Sequence, residues 1–283
     1  TMGSCVLEGC VGLSSVTIPN SVTSMGESVF KNCTGLKSVT VDNGVTIIGD
    51  GAFEKCSGLT SITIPDSVKS IGNYAFRKCT DLTSVTIGNG VTSLGESAFE
   101  NSFIKEVTLV GTESIEHFAF KNCTQLRKVI LGPVSDIGVE AFHGCTALTE
   151  IDFPYQISKV RYGAFAECTK LSTVDFSKAQ TSGLTIGDGT FYNCALGNLN
   201  LGETGIESLG NGAFATTMPS TDKLTEANLE NSKVTTFGTH VFSGRSALIK
   251  VIMPAVYGVN GDVTLPNTTF QGCSNLGRVE FPK

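Results

Sequence analysis

The chain has 283 residues, of which 40% are hydrophobic and 16% are charged, and its formal net charge at pH 7 is −6. Its basic residues are scattered rather than clustered, which argues against nucleic acid and against an anionic membrane surface as partners. The sequence contains no apolar run long enough to span a bilayer, so we expect no direct membrane insertion of this segment.

An Ala-Phe-x-x-Cys-[Thr/Ser]-x-Leu motif recurs along the sequence. Two of its clearest copies are residues 52–59 and 75–82, which start 23 residues apart. A partial unit comes first, in which Leu7 and Cys10 take the Phe and Cys positions. Self-similarity at this period predicts a solenoid of about twelve stacked coils, with the phenylalanines in one column. The phenylalanines of the motif are Phe30, Phe53, Phe76, Phe99, Phe120, Phe142, Phe165, Phe191, Phe214, Phe242 and Phe270.

Each copy of the motif leads into a segment that alternates apolar and polar residues. Residues 59–64 read Leu-Thr-Ser-Ile-Thr-Ile, which is typical of a strand with its Ile side chains facing inward. Pro65 then stops the pairing, because proline cannot donate to a sheet ladder. A second short apolar pair follows, Val68 and Ile71, and it predicts a second short strand.

A glycine closes each coil before the next motif begins. Gly72 and Gly95 are examples, and we expect either a positive φ or a close backbone approach there. An acid often comes next, as at Asp50, and acids favour the first turn of a helix. We therefore predict a short helical or 3₁₀ turn that places Phe and Cys, three residues apart, on one face.

The stretch from Leu59 to Cys79 resembles the BspA-like leucine-rich repeat, also called the Treponema pallidum type. That pattern is similar to L-x-x-[VI]-x-[IV]-P-x-x-V-x-x-I-G-x-x-A-F-x-x-C, and the resemblance extends over essentially the whole chain, 1–283, as a single domain. It implies an α/β solenoid, a right-handed leucine-rich-repeat superhelix. The parallel β-sheet would lie on the concave face, with short strands, turns and 3₁₀ helices on the convex face. Departures occur at 177–183, 216–222 and 255–262.

The resemblance also implies a surface protein of a bacterium or a parasitic protist, in a family associated with adhesion and without catalytic residues. We therefore predict a non-catalytic adhesion or recognition module, monomeric, at the cell surface or secreted, that binds an extracellular protein or glycan. The alternative is a structural spacer that holds another domain away from the cell. Because no polar cap is visible at either end, we expect the chain to be a fragment of a longer surface protein.

The ten cysteines follow the repeat. Cys5 does not fit it, and Ser102, Thr217 and Arg245 occupy the position where other coils have Cys. One cysteine per coil does not converge on one ion, so we predict no metal site. Disulfides between adjacent coils remain open, but we expect buried free thiols, because cysteine behaves as a small hydrophobe. The nine cysteines at the repeat position are Cys10, Cys33, Cys56, Cys79, Cys123, Cys145, Cys168, Cys194 and Cys273.

Outward strand positions are the candidate binding surface. In the first coils they are Lys37 and a set of serines and threonines, which also suit a simple soluble sheet. Later they become charged or amide residues, which suit recognition of protein or glycan, and a solvated face explains them equally well. Two tyrosines that follow strands could add contacts. The candidate residues are Arg127, Lys128, Glu150, Asp152, Asp175, Asn198, Asn200, Glu226, Asn228, Lys250, Tyr155 and Tyr257.

Enzymatic function has one candidate constellation. Glu150, Asp152 and Asp175 lie outward on adjacent predicted strands, and paired carboxylates could act in a polysaccharide-active enzyme. A solvated acidic patch is the alternative that we favour. No nucleophile elbow, zinc-protease motif or phosphate loop occurs in the sequence. We predict no enzyme activity, no catalytic residues and no cofactor.

Three insertions interrupt the regular repeat. Residues 177–183 and 255–262 leave the coil at the same point after a strand, so we expect them to crowd one rim, where repeat proteins often bind ligands. Residues 216–222 enter before a strand, so we expect them on the opposite rim. A tolerated surface insertion is equally compatible with each of them.

Overall fold

The computed structural model describes residues 1–179, 181–255 and 264–282. Among these residues there is one 3₁₀ helix, Pro219–Thr221, and no α-helix. The α/β class predicted from the repeat therefore fits poorly, and the fold is a solenoid of parallel β-strands. No helix of the described residues is both long and apolar enough to cross a membrane.

The strands form two sets, which we call principal and secondary, and a complete turn of the solenoid carries one strand of each set. The principal strands are β1 (Ser15–Ile18), β3 (Ser38–Val41), β5 (Ser61–Ile64), β7 (Ser84–Ile87), β9 (Glu106–Leu109), β11 (Lys128–Leu131), β13 (Glu150–Asp152), β15 (Thr173–Asp175), β17 (Leu199–Asn200), β19 (Glu226–Asn228), β21 (Lys250–Ile252) and β22 (Arg278–Glu280). The secondary strands are β2 (Ser24–Met25), β4 (Ile47–Ile48), β6 (Ser70–Ile71), β8 (Ser93–Leu94), β10 (Ser114–Ile115), β12 (Asp136–Ile137), β14 (Lys159–Val160), β16 (Leu184–Ile186), β18 (Ile206–Leu209) and β20 (Thr236–Phe237).

The chain divides into two compact units. The first contains Thr1–Val134 and Ala141–Thr146, and the second contains Ser135–Glu140 and Ala147–Lys283. In the first unit the principal strands pair in the orders β1-β3-β5-β7 and β9-β11, and the secondary strands in the order β2-β4-β6-β8-β10. In the second unit the orders are β13-β15, β17-β19-β21-β22 and β12-β14-β16-β18-β20.

The secondary strands mark about ten turns in the described residues. The predicted count of about twelve coils is not confirmed. The right-handed superhelix and the concave position of the principal sheet stay predictions.

Stacked phenylalanines form the core of both units, as the repeat predicted. In the first unit Phe53, Phe76 and Phe99 are fully buried, with ring centroids 5.0–5.2 Å apart and nearly parallel planes. In the second unit Phe191 and Phe214 stack at 5.4 Å. Such offset stacking of rings adds to the hydrophobic stabilisation from burial.

The segment that carries Phe and Cys is a turn with two left-handed residues, not a helix. The residues two before and two after Phe53, Gly51 and Lys55, have φ values of 60° and 59°. Positive φ interrupts a right-handed helix. The backbone N–H groups of Phe53 and Lys55 instead donate to the carbonyls of Ala75 and Arg77 in the next coil, both at 2.8 Å. The predicted helical or 3₁₀ turn is therefore wrong at this position.

The glycine before each motif is required by a close approach between coils. Gly95 does not have a positive φ, and a Cβ there would lie only 2.6 Å from the backbone nitrogen of Asn73. The acid that follows such a glycine also acts between coils. Asp50 Oδ1 accepts a hydrogen bond from Asn73 N at 2.8 Å, so it does not cap a helix.

All ten cysteines are free, and seven of them are buried. Buried thiols donate to the carbonyl of the phenylalanine in the preceding coil, as from Cys56 Sγ to Phe30 O at 3.0 Å and from Cys79 Sγ to Phe53 O at 3.1 Å. Cys33 Sγ donates to the carbonyl of Leu7, which takes the phenylalanine position in the partial first unit. Ser102 Oγ makes the equivalent bond to Phe76 O at 2.7 Å. The repeat position therefore selects a small buried donor, which explains why serine replaces cysteine there.

Burial should protect the column of thiols from alkylation. Burial raises the pKa of Cys56 and of Cys123 to about 12, and the thiolate is the reactive form. At about pH 8, we expect iodoacetamide to modify exposed Cys5 first and the seven buried cysteines only after denaturation. Peptide mapping by mass spectrometry measures this order. Labelling of Cys56 in the native protein as fast as that of Cys5 would contradict the buried assignment.

Candidate functional site

The outward face consists of the solvent-facing side chains of the principal strands. Strands β5 and β9 alternate exposed and buried residues without exception, as the period-two pattern predicted. Because the strands pair in register, equivalent side chains stack in rows along the sheet. Ser38, Ser61 and Ser84 form one such row, and Thr63 and Thr86 belong to the next. In these coils the outward face offers hydroxyl groups only.

The charged part of the outward face begins at the end of the first unit. Arg127 Nη2 lies 3.1 Å from Glu106 Oε1, and both side chains are more than half exposed. Lys128 stands beside Glu106 in the strand register and is exposed. An ion pair this exposed contributes about 0–1 kcal/mol to stability. These predicted residues are therefore accessible, but little in their contacts fixes them.

Four of the predicted residues meet in one groove of the second unit, which we call the second-unit groove. It has a volume of about 380 Å³ and lies between β15 and β17, where the ladder of principal strands is interrupted. The predicted residues in its lining are Asp152, Asp175, Asn198 and Asn200, and the others are Thr173, Val174, Ser177, Gly202 and Glu203. Sequence reasoning identified the first four but missed Glu203, which follows the strand in a turn.

The two aspartates of this groove are neighbours in the sheet. Asp152 on β13 is paired in register with Asp175 on β15, so their Cα atoms are about 5 Å apart. Like charges at adjacent positions of a sheet repel each other. A ligand that donates hydrogen bonds or carries positive charge would relieve this repulsion.

Local hydrogen bonds hold the polar side chains of the groove in place. Asp175 Oδ1 accepts from Ser177 N at 2.7 Å, and Asn200 Oδ1 accepts from Gly202 N at 3.0 Å. Asn198 Oδ1 accepts from the hydroxyl of Thr225 at 2.7 Å. The side-chain oxygens of both asparagines already accept hydrogen bonds within the protein. Their NH₂ groups can donate hydrogen bonds to a ligand.

Three other predicted residues of the second unit, Glu226, Asn228 and Lys250, do not line this groove. Glu226 and Lys250 belong to a line of ion pairs, in which Lys250 Nζ lies 3.5 Å from both Glu226 and Glu280. Asn228 uses its side-chain oxygen to accept from Glu230 N at 2.9 Å. These ion pairs and this local hydrogen bond explain the conformations of the three side chains without a ligand.

Glu150 and Tyr155 are not brought into the groove either. Glu150 is exposed on β13 and pairs in register with Thr173. The side chain of Tyr155 is 60% exposed, and its carbonyl accepts from the hydroxyl of Thr181 in the first insertion. Tyr257 lies outside the described residues, as does most of the predicted insertion at 255–262.

The insertion at 216–222 has a structural role that sequence reasoning missed. Its last residue, Asp222, forms an ion pair with Arg245 at 3.1 Å, and both side chains are completely buried. Arg245 stands at the cysteine position of its coil, and its Nε donates to the carbonyl of Phe214 as a thiol would. An arginine at a buried repeat position, preceded by an insertion that ends in aspartate, was a signal that could have revealed this pair.

The second-unit groove offers several kinds of hydrogen-bonding group. Within the residues that the structure describes, no cluster of three or more His, Cys, Asp or Glu side chains could hold a metal ion. The groove combines carboxylate acceptors with amide and hydroxyl groups, as polar ligand sites do. What this arrangement can do is accept and donate hydrogen bonds along a shallow polar trough.

Known proteins with similar repeats identify the fold family. A family model described as the BspA type leucine-rich repeat region matches residues 1–127, 110–219 and 180–283, in six copies. A leucine-rich repeat protein from Bacteroides ovatus is 30% identical with a TM-score of 0.76, and the match covers 95% of this chain and 69% of that protein. No curated protein sequence matches the chain significantly.

Two further solved structures are similar to the chain. A leucine-rich repeat protein from T. pallidum is 32% identical with a TM-score of 0.49, over 52% of this chain and 70% of that one. A leucine-rich cell surface protein from Faecalibacterium prausnitzii is 21% identical with a TM-score of 0.44, over 99% and 82%. The family model and the Bacteroides structure are sufficient for the assignment. The chain belongs to the BspA-type leucine-rich repeat family.

Proposed function

We propose that the chain is a non-catalytic recognition module that binds an extracellular glycan or protein through the second-unit groove. The observation that carries this proposal is that Asp152, Asp175, Asn198 and Asn200 converge on one groove at an interruption of the sheet. Membership of the repeat family supports a binding or structural role and a place at the cell surface or in secreted form. The monomeric state remains part of the proposal.

The ligand that best fits this groove is rich in hydrogen-bond donors. Sugar hydroxyls can donate to the two aspartates and accept from the asparagine NH₂ groups. A basic segment of a protein would satisfy the same carboxylates. Hydrogen bonds to charged groups contribute about 1.5–3 kcal/mol each, so two such contacts would supply most of the specificity of a modest binder.

Binding assays on immobilised glycans and matrix proteins test the proposal. We expect Asp152→Asn/Asp175→Asn to weaken binding about ten- to hundredfold, because it removes both charges while keeping the side-chain shapes. A matched control is Asp81→Asn/Glu150→Gln, which removes two exposed charges outside the groove lining and should change binding less than about twofold.

Three outcomes would contradict the proposal. Equal binding by the groove variant and the control would remove the groove from the function. Binding of no ligand at all would favour the spacer role. The uniform rows of hydroxyl side chains in the first unit support that alternative. Release of reducing ends from a polysaccharide, lost in Asp152→Asn, would replace recognition by catalysis.

A further inference from the structure

A second groove lies on the outward face of the first unit, and the proposed function does not use it. This first-unit groove has a volume of about 630 Å³ and lies between β7 and β9, where the ladder of principal strands is again interrupted. The volume is within the range of small-ligand sites. Its polar lining includes Thr83, Ser84, Thr86, Asn89, Lys105, Glu106, Thr108 and Arg127, and its apolar lining is Val85, Ile87 and Val107.

A shortened coil accompanies the interruption of the ladder at this point. Phe99 and Phe120 are 21 residues apart, whereas Phe76 and Phe99 are 23 apart. One of the missing residues falls between Ser102 and Ile104, where other coils have two residues between the donor and the leucine. The same shortening occurs between Cys194 and Leu196, just before β17 at the other groove. Both grooves therefore lie beside a coil with one residue fewer at this position.

The charge of the first-unit groove is opposite to that of the second-unit groove and of the chain as a whole. Lys105 and Arg127 bring two positive charges to the lining, and Glu106 brings one negative charge. No ion pair to Lys105 occurs among the described residues. The Arg127–Glu106 pair is exposed at 61% and 57%, so an anionic ligand can exchange with Glu106 at little cost.

Hydroxyl and amide groups surround the two cations. Thr83, Ser84 and Thr86 are exposed along β7 and its approach. Asn89 is exposed at the end of the groove, where its backbone nitrogen donates to Asp66 at 2.7 Å. Protein interfaces depend on buried aromatic anchors, and no aromatic residue lines this groove. A ligand with many hydroxyls and a negative charge fits these groups better than a folded protein does.

We propose that the first-unit groove is a separate binding site for an acidic oligosaccharide, one whose sugars carry carboxylate or sulfate groups. Lys105 and Arg127 pair with the acidic groups, and the hydroxyl groups of Ser84 and Thr86 bond the sugar hydroxyls. This site is independent of the second-unit groove, so the chain presents two sites of opposite charge for different ligands.

Calorimetric titration with an oligogalacturonate and with a sulfated oligosaccharide tests the proposal, with a neutral cello-oligosaccharide as reference. The carboxylate and sulfate arms distinguish the two sources of charge. We expect binding of at least one acidic sugar, weakened by salt because exposed charges are screened. Lys105→Gln/Arg127→Gln should weaken it at least tenfold. The control Lys37→Gln/Lys69→Gln, two exposed lysines outside the groove, should change it less than about twofold.

A second variant separates a built site from simple attraction between charges. Ser84→Ala/Thr86→Val keeps both cations and should still weaken binding of the acidic sugar about fivefold or more. An acidic peptide of equal charge should bind more weakly than the sugar. Equal loss in the lysine control, equal binding of the acidic peptide, or binding of no acidic sugar would each overturn the proposal. Asp152→Asn/Asp175→Asn should leave this binding unchanged, so failure of one site does not imply failure of the other.

Discussion

Replacing Asp222 with alanine is expected to lower the free energy of unfolding by about 3–5 kcal/mol, because it leaves the buried charge of Arg245 without its partner. Both side chains are completely buried. Asp222 also accepts from Ala247 N at 2.8 Å and Leu224 N at 3.3 Å, so the variant orphans backbone donors as well. Burial lowers the pKa of Arg245, yet arginine stays protonated in proteins.

Urea unfolding followed by circular dichroism measures this loss as a shift in midpoint, since the chain has no tryptophan for fluorescence. Asp81→Ala, which removes an exposed aspartate, is the control. Its free energy of unfolding should change by less than about 0.5 kcal/mol. The double variant Asp222→Ala/Arg245→Cys restores the residue found in other coils, and it should be more stable than Asp222→Ala alone. A midpoint for Asp222→Ala equal to that of the control would show that the pair does not hold this insertion.

Phe76→Ala is expected to cost about 3–5 kcal/mol, the usual range for removing a buried phenylalanine. Phe76 is completely buried and stacks on Phe53 at 5.2 Å and on Phe99 at 5.0 Å. Because each coil contacts only its neighbours, the cavity weakens two interfaces at once. Phe76→Leu should lose less, since Leu7 takes the same position in the partial coil at the start of the chain.

The same urea titration measures the loss of stability, and hydrogen exchange shows which coils it affects. Amide protection should fall mainly in coils near Phe76, because local opening in a repeat array stays local. Phe103→Ala is the comparison, since that ring is 40% exposed and should cost about 1 kcal/mol or less. Equal losses for Phe76→Ala and Phe103→Ala would mean that the stacked column does not carry the stability of the first unit.

The features that could be predicted from the sequence are those that depend on periodicity. The 23-residue repeat gave the phenylalanine column, and the alternation of residues 59–64 gave the inward and outward sides of β5. The turn at Phe53 could not be predicted, because Lys55 gives no indication that its φ is positive. Only the backbone ladder to the next coil imposes that conformation.

Part of the candidate site was predictable for the same reason. Asp152 and Asp175 were placed side by side because equivalent positions in register stack along a parallel sheet. The two grooves were not foreseen, because the alternating pattern of a strand does not show whether its neighbour continues the ladder. Tyr155 and Glu150 were chosen by residue type and position alone, and neither lines either of the two grooves described above.

The hydrogen bonds from buried thiols to the carbonyls of the neighbouring coil bear on how the number of coils can change in evolution. The donor at Cys56 or Ser102 meets a main-chain carbonyl, which every coil presents whatever its side chains are. A gene segment that encodes one whole coil can therefore be duplicated or lost without creating a mismatched junction. A change within a coil is different, because the buried charge of Arg245 requires a compensating partner, Asp222.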